Sequence, residues 1–192
     1  MRNLAVATAG LLGGALALGG AVSLPEIGLP IADLTRSDLH DMFTEYHHGH
    51  PHRAIDLMRP RGTPVIAAVP GTIRKLHLCK LGGITIYEFD EAGKYCYYYA
   101  HLDHYADGLC EGMHVDTGDV IGYVGSTGDA VAKYPHLHFA MYQLGSRKQW
   151  WRGRAIDPYR PLIQAVKRAN EEPPPLTEPP PPEPARTSLS GR

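Results

Sequence analysis

Pro135-His136-Leu137-His138-Phe139-Ala140-Met141-Tyr142 decides the fold class. Apolar residues alternate with imidazoles, which is the two-residue period of a β-strand with one face in a core. Residues two apart share a face, so the rings of His136 and His138 project to the same side, with Cα atoms about 6 to 7 Å apart at roughly 3.3 Å of rise per residue. Two imidazoles so placed can divide labour, one holding a zinc ion at about 2.0 to 2.1 Å while the other reaches water on the ion's open side. The competing reading is a strand with two surface histidines, since H-x-H alone is a common pattern.

Working back from this stretch, the chain continues to read as β. Ala54–Met58 is a short apolar run stopped by Pro60 and Gly62, and Pro64–Val69 another, stopped by Pro70-Gly71. Thr72–Lys80, Ile84–Asp90 and Tyr95–His101 are strand-like runs, separated at Gly82-Gly83 and at Glu91-Ala92-Gly93, so they predict an antiparallel meander. Gly118, Gly122, Gly125 and Gly128 surround the strand Val120–Val124. A phosphate-binding loop is excluded there, because no Gly-Lys-Ser/Thr follows and no helical pattern opens after the glycines. Tight turns are the expectation instead. Downstream, Gly145–Arg154 reads as a loop carrying Trp150 and Trp151, then Asp157-Pro158 and a short closing element through Val166.

The ends form different regimes. Residues 1–23 carry one early positive charge, Arg2, then an uncharged Leu, Ala, Gly and Val run ending in small residues, the pattern of a signal peptide or a retained N-terminal membrane anchor. Residues 24–46 are a lead-in in which Ser37 could cap a short helix. Residues 47–168 make the main domain. Residues 169–192 contain proline runs at 173–175 and 179–182 and read as a disordered, proline-rich tail with a protein partner as one role for it.

Across all 192 residues, 43% hydrophobic and 20% charged composition fits one globular domain with accessories. Lys plus Arg (19) nearly balances Asp plus Glu (20), so the basic surface that nucleic acid demands is missing. The 11 His are an excess that favours a metal site. Three cysteines, Cys79, Cys96 and Cys110, show no C-x-x-C spacing, which disfavours a cysteine zinc site and leaves three pairings open.

Further candidates come from two other regions. His52 and Asp56 supply an imidazole and a carboxylate four residues apart, but an extended backbone would separate them by about 13 Å, so joint ligation requires a bend. His47, His48 and His50 compete with them. His101 ends Tyr99-Ala100-His101 at a strand terminus, and strict alternation places it on the face of Tyr99.

Taken jointly, H-x-x-x-D at 52–56, a His within Tyr-x-His-Leu at 99–102 and H-x-H at 136–138 resemble the lysostaphin-type (LytM-like) zinc endopeptidases. The surroundings agree: Pro60-Arg61-Gly62-Thr63-Pro64-Val65, Gly118-Asp119-Val120-Ile121-Gly122 and Gly125-Ser126-Thr127-Gly128. Ala140, standing where a Glu is frequent, and Arg53-Ala54, standing where a Gly is, are small departures. The resemblance implies an all-β fold of the lysostaphin-type, duplicated-hybrid-motif kind, a small antiparallel sheet with a metal-binding groove. It implies one zinc per chain held by His52, Asp56 and His138, with His101 and His136 as the catalytic pair and their division of roles open. Peptidoglycan is the implied substrate, cleaved in its peptide cross-links, D-alanyl to diaminopimelate in preference to glycine bridges. With the export segment, this places the protein in the periplasm or anchored to the inner membrane facing it. Tyr99, Trp150 and Trp151 are candidates for substrate binding. Two rivals are a non-catalytic peptidoglycan-binding or amidase-activating protein of the same fold, and a zinc-storage protein that would use His47, His48 and His50 as well.

Overall fold

The computed structural model describes residues 24–47 and 49–171. The expected export segment, His48 and the proline runs of the tail lie outside the described residues.

The chain begins with a 3-10 turn (Arg36–Asp38) and a small hairpin of β1 (Tyr46–His47) and β2 (His50–Pro51). It continues through β3 (Ile55–Met58), β4 (Pro64–Ile66), β5 (Gly71–Cys79), β6 (Gly83–Asp90), β7 (Tyr95–Tyr105), β8 (His114–Val115), β9 (Val120–Val124), β10 (His136–Leu144) and β11 (Gly153–Ile156), and closes with the helix α1 (Tyr159–Glu171). Among the described residues, nine strands form one sheet with the path β11-β10-β7-β6-β5-β8, to which β3 adds on β10, β9 on β7 and β4 on β9. Every pairing in it is antiparallel. The all-β expectation therefore holds, and so does the meander β5-β6-β7.

Turn chemistry explains the meander. At the β6–β7 turn, Gly93 takes φ +59, and the Asp90 carboxylate accepts the N–H groups of Lys94 and Tyr95 at 2.7 Å each. A short acidic side chain thus satisfies the backbone donors that a tight turn leaves unpaired.

The core lies where alternate residues of β7 and β10 meet. Tyr97, Tyr99, Leu137 and Phe139 are buried, and the Tyr99 and Phe139 rings sit 5.3 Å apart. The lead-in belongs to this core, with Ile27, Leu29, Ile31, Leu34 and Leu39 all buried in it. Its backbone also joins the fold, through Gly28 N–H to the Ala68 carbonyl and Ile66 N–H to that of Pro30. Arg59, one residue past β3, clamps it further by donating to Asp38 at 2.9 and 3.0 Å and to Asp33 at 3.1 Å.

Several expectations need correction. Ser37 caps no helix: Thr35 precedes the 3-10 turn and bonds the Asp38 carboxylate through its backbone N–H and its hydroxyl. The loop assigned to Gly145–Arg154 ends in strand, because Gly153 and Arg154 open β11 against β10. The closing element is a full α-helix that buries Leu162, Ala165 and Val166. Its three-to-four-residue apolar spacing outweighs the Pro161 near its start, where the missing N–H is harmless. The three cysteines are unpaired, and Cys96 is buried in the sheet.

Glu88 of β6 is an unusual core residue. Its carboxyl is fully buried, Tyr99 donates its hydroxyl to it, and burial pushes its pKa up to about 8 against the pull of that hydrogen bond. The proton therefore binds more tightly in the folded chain than in the unfolded one, whose carboxyl titrates near 4.5. The stability this contributes is complete at low pH and is lost as pH climbs toward about 8. Glu88→Gln removes the titration, so denaturation midpoints at pH 5 and pH 8 are expected to shift in favour of the Gln variant at the higher pH. A gap between variant and wild type that ignores pH would contradict the assignment.

Candidate metal centre

The antiparallel register of β3 and β10 sets Asp56 directly opposite His138. Cross-strand partners in such a pair bring their side chains together on one face. Asp56 Oδ1 lies 3.0 Å from His138 Nδ1. The missing element is the bend that returns His52 to the same point, and the backbone supplies it at Arg53, with φ +56. His52 N–H to the Glu45 carbonyl and Arg53 N–H to that of Phe43 hold the bend. As a result His52 Nε2 stands 3.1 Å from Asp56 Oδ1 and 3.1 Å from His138 Nδ1.

Three donor atoms thus form a nearly equilateral triangle. Zinc bound tetrahedrally at about 2.0 to 2.1 Å separates its donors by roughly 3.3 Å, close to the spacing found here. Two imidazole nitrogens and a carboxylate oxygen, each offering a lone pair, face one point at this spacing. A single cation satisfies the three lone-pair groups together, so the residues fit zinc. Among the described residues this is the group that gathers as a metal site. His47 and His50 lie in the β1–β2 hairpin. Burial pushes the Asp56 carboxyl up, yet the hydrogen bonds from His138 and His52 outweigh it and hold it well below the ordinary carboxylate range.

His101 and His136 face the triangle across a cavity of about 300 Å³. Their rings are 4.9 Å apart, and His136 Nε2 is 3.9 Å from Asp56 Oδ1. Each Nδ1 meets a backbone carbonyl at 2.8 Å, His101 that of Thr127 and His136 that of Tyr134. A carbonyl only accepts, so each Nδ1 carries a proton, and in a neutral ring so held Nε2 is the accepting nitrogen. His101 is nearly buried, and that burial lowers its pKa against the opposing hydrogen bond to Thr127. Burial therefore favours its neutral form.

Sequence alternation put His101 with Tyr99, and the structure overturns this. His101 has φ +60, which breaks the alternation of β7 and turns its ring to the cavity, the side of Tyr98 and Ala100. Tyr99 is a core residue, fully buried, bonded to Glu88 and accepting the Ala68 N–H at 2.9 Å. Trp150 and Trp151 do not line the cavity either. They form a separate cleft with Tyr87, Tyr98 and Tyr142, and Tyr98 is the wall that it shares with the metal cavity.

Sequence reasoning missed Thr127 as a support. Besides its carbonyl on His101, its hydroxyl donates to the Leu102 carbonyl at 2.6 Å and accepts the Ile84 N–H at 3.0 Å. The Gly125-Ser126-Thr127-Gly128 segment docks on the β5–β6 turn because Gly83 and Gly128 permit backbone contact. A Cβ on Gly128 would stand 2.1 Å from the Leu81 carbonyl oxygen. The glycine spacing was the available signal, legible as a turn but not as a support.

Residues 50–158 match Peptidase family M23. The L-Ala--D-Glu endopeptidase of Bacillus subtilis (strain 168) is 34% identical over 122 residues, 61% of this chain and 36% of that protein, so the chain spans about a third of that relative's length. The catalytic domain of the antimicrobial peptidase lysostaphin from Staphylococcus simulans superposes with a TM-score of 0.54 at 29% identity, covering 66% of this chain and 89% of that one. LytU gives 0.57 at 30% identity, over 69% of this chain and 90% of its own.

Gly128→Ala is expected to pull the Thr127 carbonyl away from His101, since its φ of +78 and the blocked Cβ position both resist a side chain. In a peptide-hydrolysis assay the rate should drop by about a hundredfold, the scale expected were His101 a positioned acid–base group. Metal content should match the wild type, because the three donors lie on other elements. Metal lost in parallel with activity would refute this support role.

Proposed function

The chain belongs to peptidase family M23, and on that premise we propose that it is a zinc-dependent endopeptidase hydrolysing the peptide cross-links of peptidoglycan. The observation that carries this reading is the triangle of His52, Asp56 and His138 with the paired rings of His101 and His136 facing its open side. A non-catalytic protein of the same fold has no need of two rings locked in the tautomer that accepts protons. A storage protein has no need of one three-donor group set in a cavity.

When bound, zinc supplies an electrophile that polarises the scissile carbonyl and acidifies water. The remaining work falls to the protein. His101, kept neutral by burial, accepts a proton from the attacking water at Nε2, while its Nδ1–H stays on Thr127 and fixes the ring. His136, held in the same way by Tyr134, stands on the other side with Nε2 free to orient the water's second hydrogen, and the proton that His101 has taken passes to the departing nitrogen. The cavity admits the substrate between the two rings. Asp129, Ala130 and Val131 form a further part of its lining.

We place the enzyme outside the cytoplasmic membrane, in the periplasm, on the strength of the pattern in residues 1–23, cleaved or retained as an anchor. Among the described residues no helix is long and apolar enough to cross a membrane. D-alanyl to diaminopimelate links are the bonds proposed for cleavage.

Two variants test the division of roles. His138→Ala is expected to lose both zinc and activity, and His136→Ala to lose activity while elemental analysis still finds one zinc per chain. Equal zinc loss in the two would contradict the assignment, and more than one tight zinc in the wild type would favour storage. Purified sacculi digested with the zinc-loaded protein should release fragments whose masses identify the cut bond. Unchanged cross-linking would remove the hydrolase reading. Because His101 must be unprotonated to act, activity should fall on the acid side only below the ordinary imidazole range.

A further inference from the structure

A continuous track leads away from the metal cavity. Its first part is the aromatic cleft of about 330 Å³ that shares Tyr98 with that cavity. Ring contacts run along it without a gap: His138 to Tyr98 at 6.0 Å, Tyr98 to Tyr87 at 4.7 Å, Tyr87 to Trp150 at 4.7 Å and Trp150 to Trp151 at 5.3 Å. Trp151 is 62% exposed, so the far end of the strip is open to solvent. Arg152 lines this cleft and also an adjoining depression of about 580 Å³, whose charged lining is Arg147, Lys148, Arg152 and Arg154.

The charge on this track is one-sided. The cleft and the depression are lined by Arg147, Lys148, Arg152 and Arg154 and by no carboxylate, within a protein whose net charge is minus one. Two of the cations have partners of their own: Lys148 donates to the Ala92 carbonyl at 3.1 Å and Arg154 to the Gln143 side chain at 2.6 Å. Among the described residues, Arg147 and Arg152 make no ion pair. An exposed guanidinium at the end of an aromatic floor offers two parallel donors to a carboxylate whose aliphatic stem lies on the rings. A neutral oligoglycine bridge would use neither feature.

Resting on the endopeptidase reading, we infer that this track selects a cross-linked peptide with free carboxylates, one of which is read by Arg152, over the same peptide amidated. Glutamyl and diaminopimelyl residues of stem peptides supply such carboxylates, and amidation replaces an acceptor-only group by a neutral amide of the same shape.

The test compares two soluble, sugar-free peptide dimers, identical except that the side carboxylates are free in one and amidated in the other, cut by the zinc-loaded full-length protein. Wild type is expected to favour the free acid in kcat/KM by about tenfold, the scale of one charge-assisted hydrogen bond, mostly through KM. Arg152→Gln should bring that ratio close to one, Arg152→Lys should keep part of it, and added salt should shrink it. Equal cutting of both dimers by wild type would overturn the inference and leave the peptidase reading intact. So would an Arg152→Gln variant that slows equally on both. Cutting of neither dimer would remove the peptidase reading and the inference with it.

Discussion

The pairing of Asp56 with His138 across β3 and β10 is the constraint on which the rest depends. In an antiparallel ladder the partner of a residue is set by register, and a slip of one position would turn every side chain of the strand to the other face. Here a slip would send Asp56 and both histidines into the core and bring Leu57, Leu137 and Phe139 out to water. The apolar residues that alternate with the functional ones therefore lock the site in place. Packing of the core and positioning of the donors are one problem with one solution.

Around that pair, the supports are mostly backbone. Thr127 and Tyr134 act on the two cavity-facing rings through carbonyl oxygens, and Gly83 and Gly128 let two loops touch closely enough for Thr127 to be in range. Carbonyls are neutral acceptors, so they fix a tautomer without placing a full charge beside the ring, and the Thr127 bond only partly offsets the lowering that burial imposes on His101. The lead-in segment matters for a similar reason. Its buried aliphatic residues and the Arg59 clamp hold the chain on either side of His52, the donor that no regular strand carries.

Much of this was legible in the sequence. The period of two in Pro135–Tyr142 identified both the strand and the common face of His136 and His138, and Gly and Asp placed the turns of the meander. Less legible were the features set by distant contacts. The run 24–46 has no period because it crosses the core as irregular chain, so its burial leaves no pattern. Tyr99 looked like a neighbour of His101 for the opposite reason: the pattern was clear, but the backbone broke it.

Residue chemistry and short-range periodicity, which the order of amino acids carries directly, determined the class of fold and the common face of His136 and His138, while the set of five polar side chains followed from the resemblance of three motifs to a known family. Tertiary structure alone decided how they converge. Arg53 and His101 both take positive φ, a conformation that no local preference of either residue would produce and that costs energy unless surrounding contacts hold it. One of these turns bends His52 back to Asp56, held by the Glu45 and Phe43 carbonyls, and the other swings His101 out of the core face into the cavity, held by the carbonyls of Gly82 and Thr127 from segments distant in the sequence.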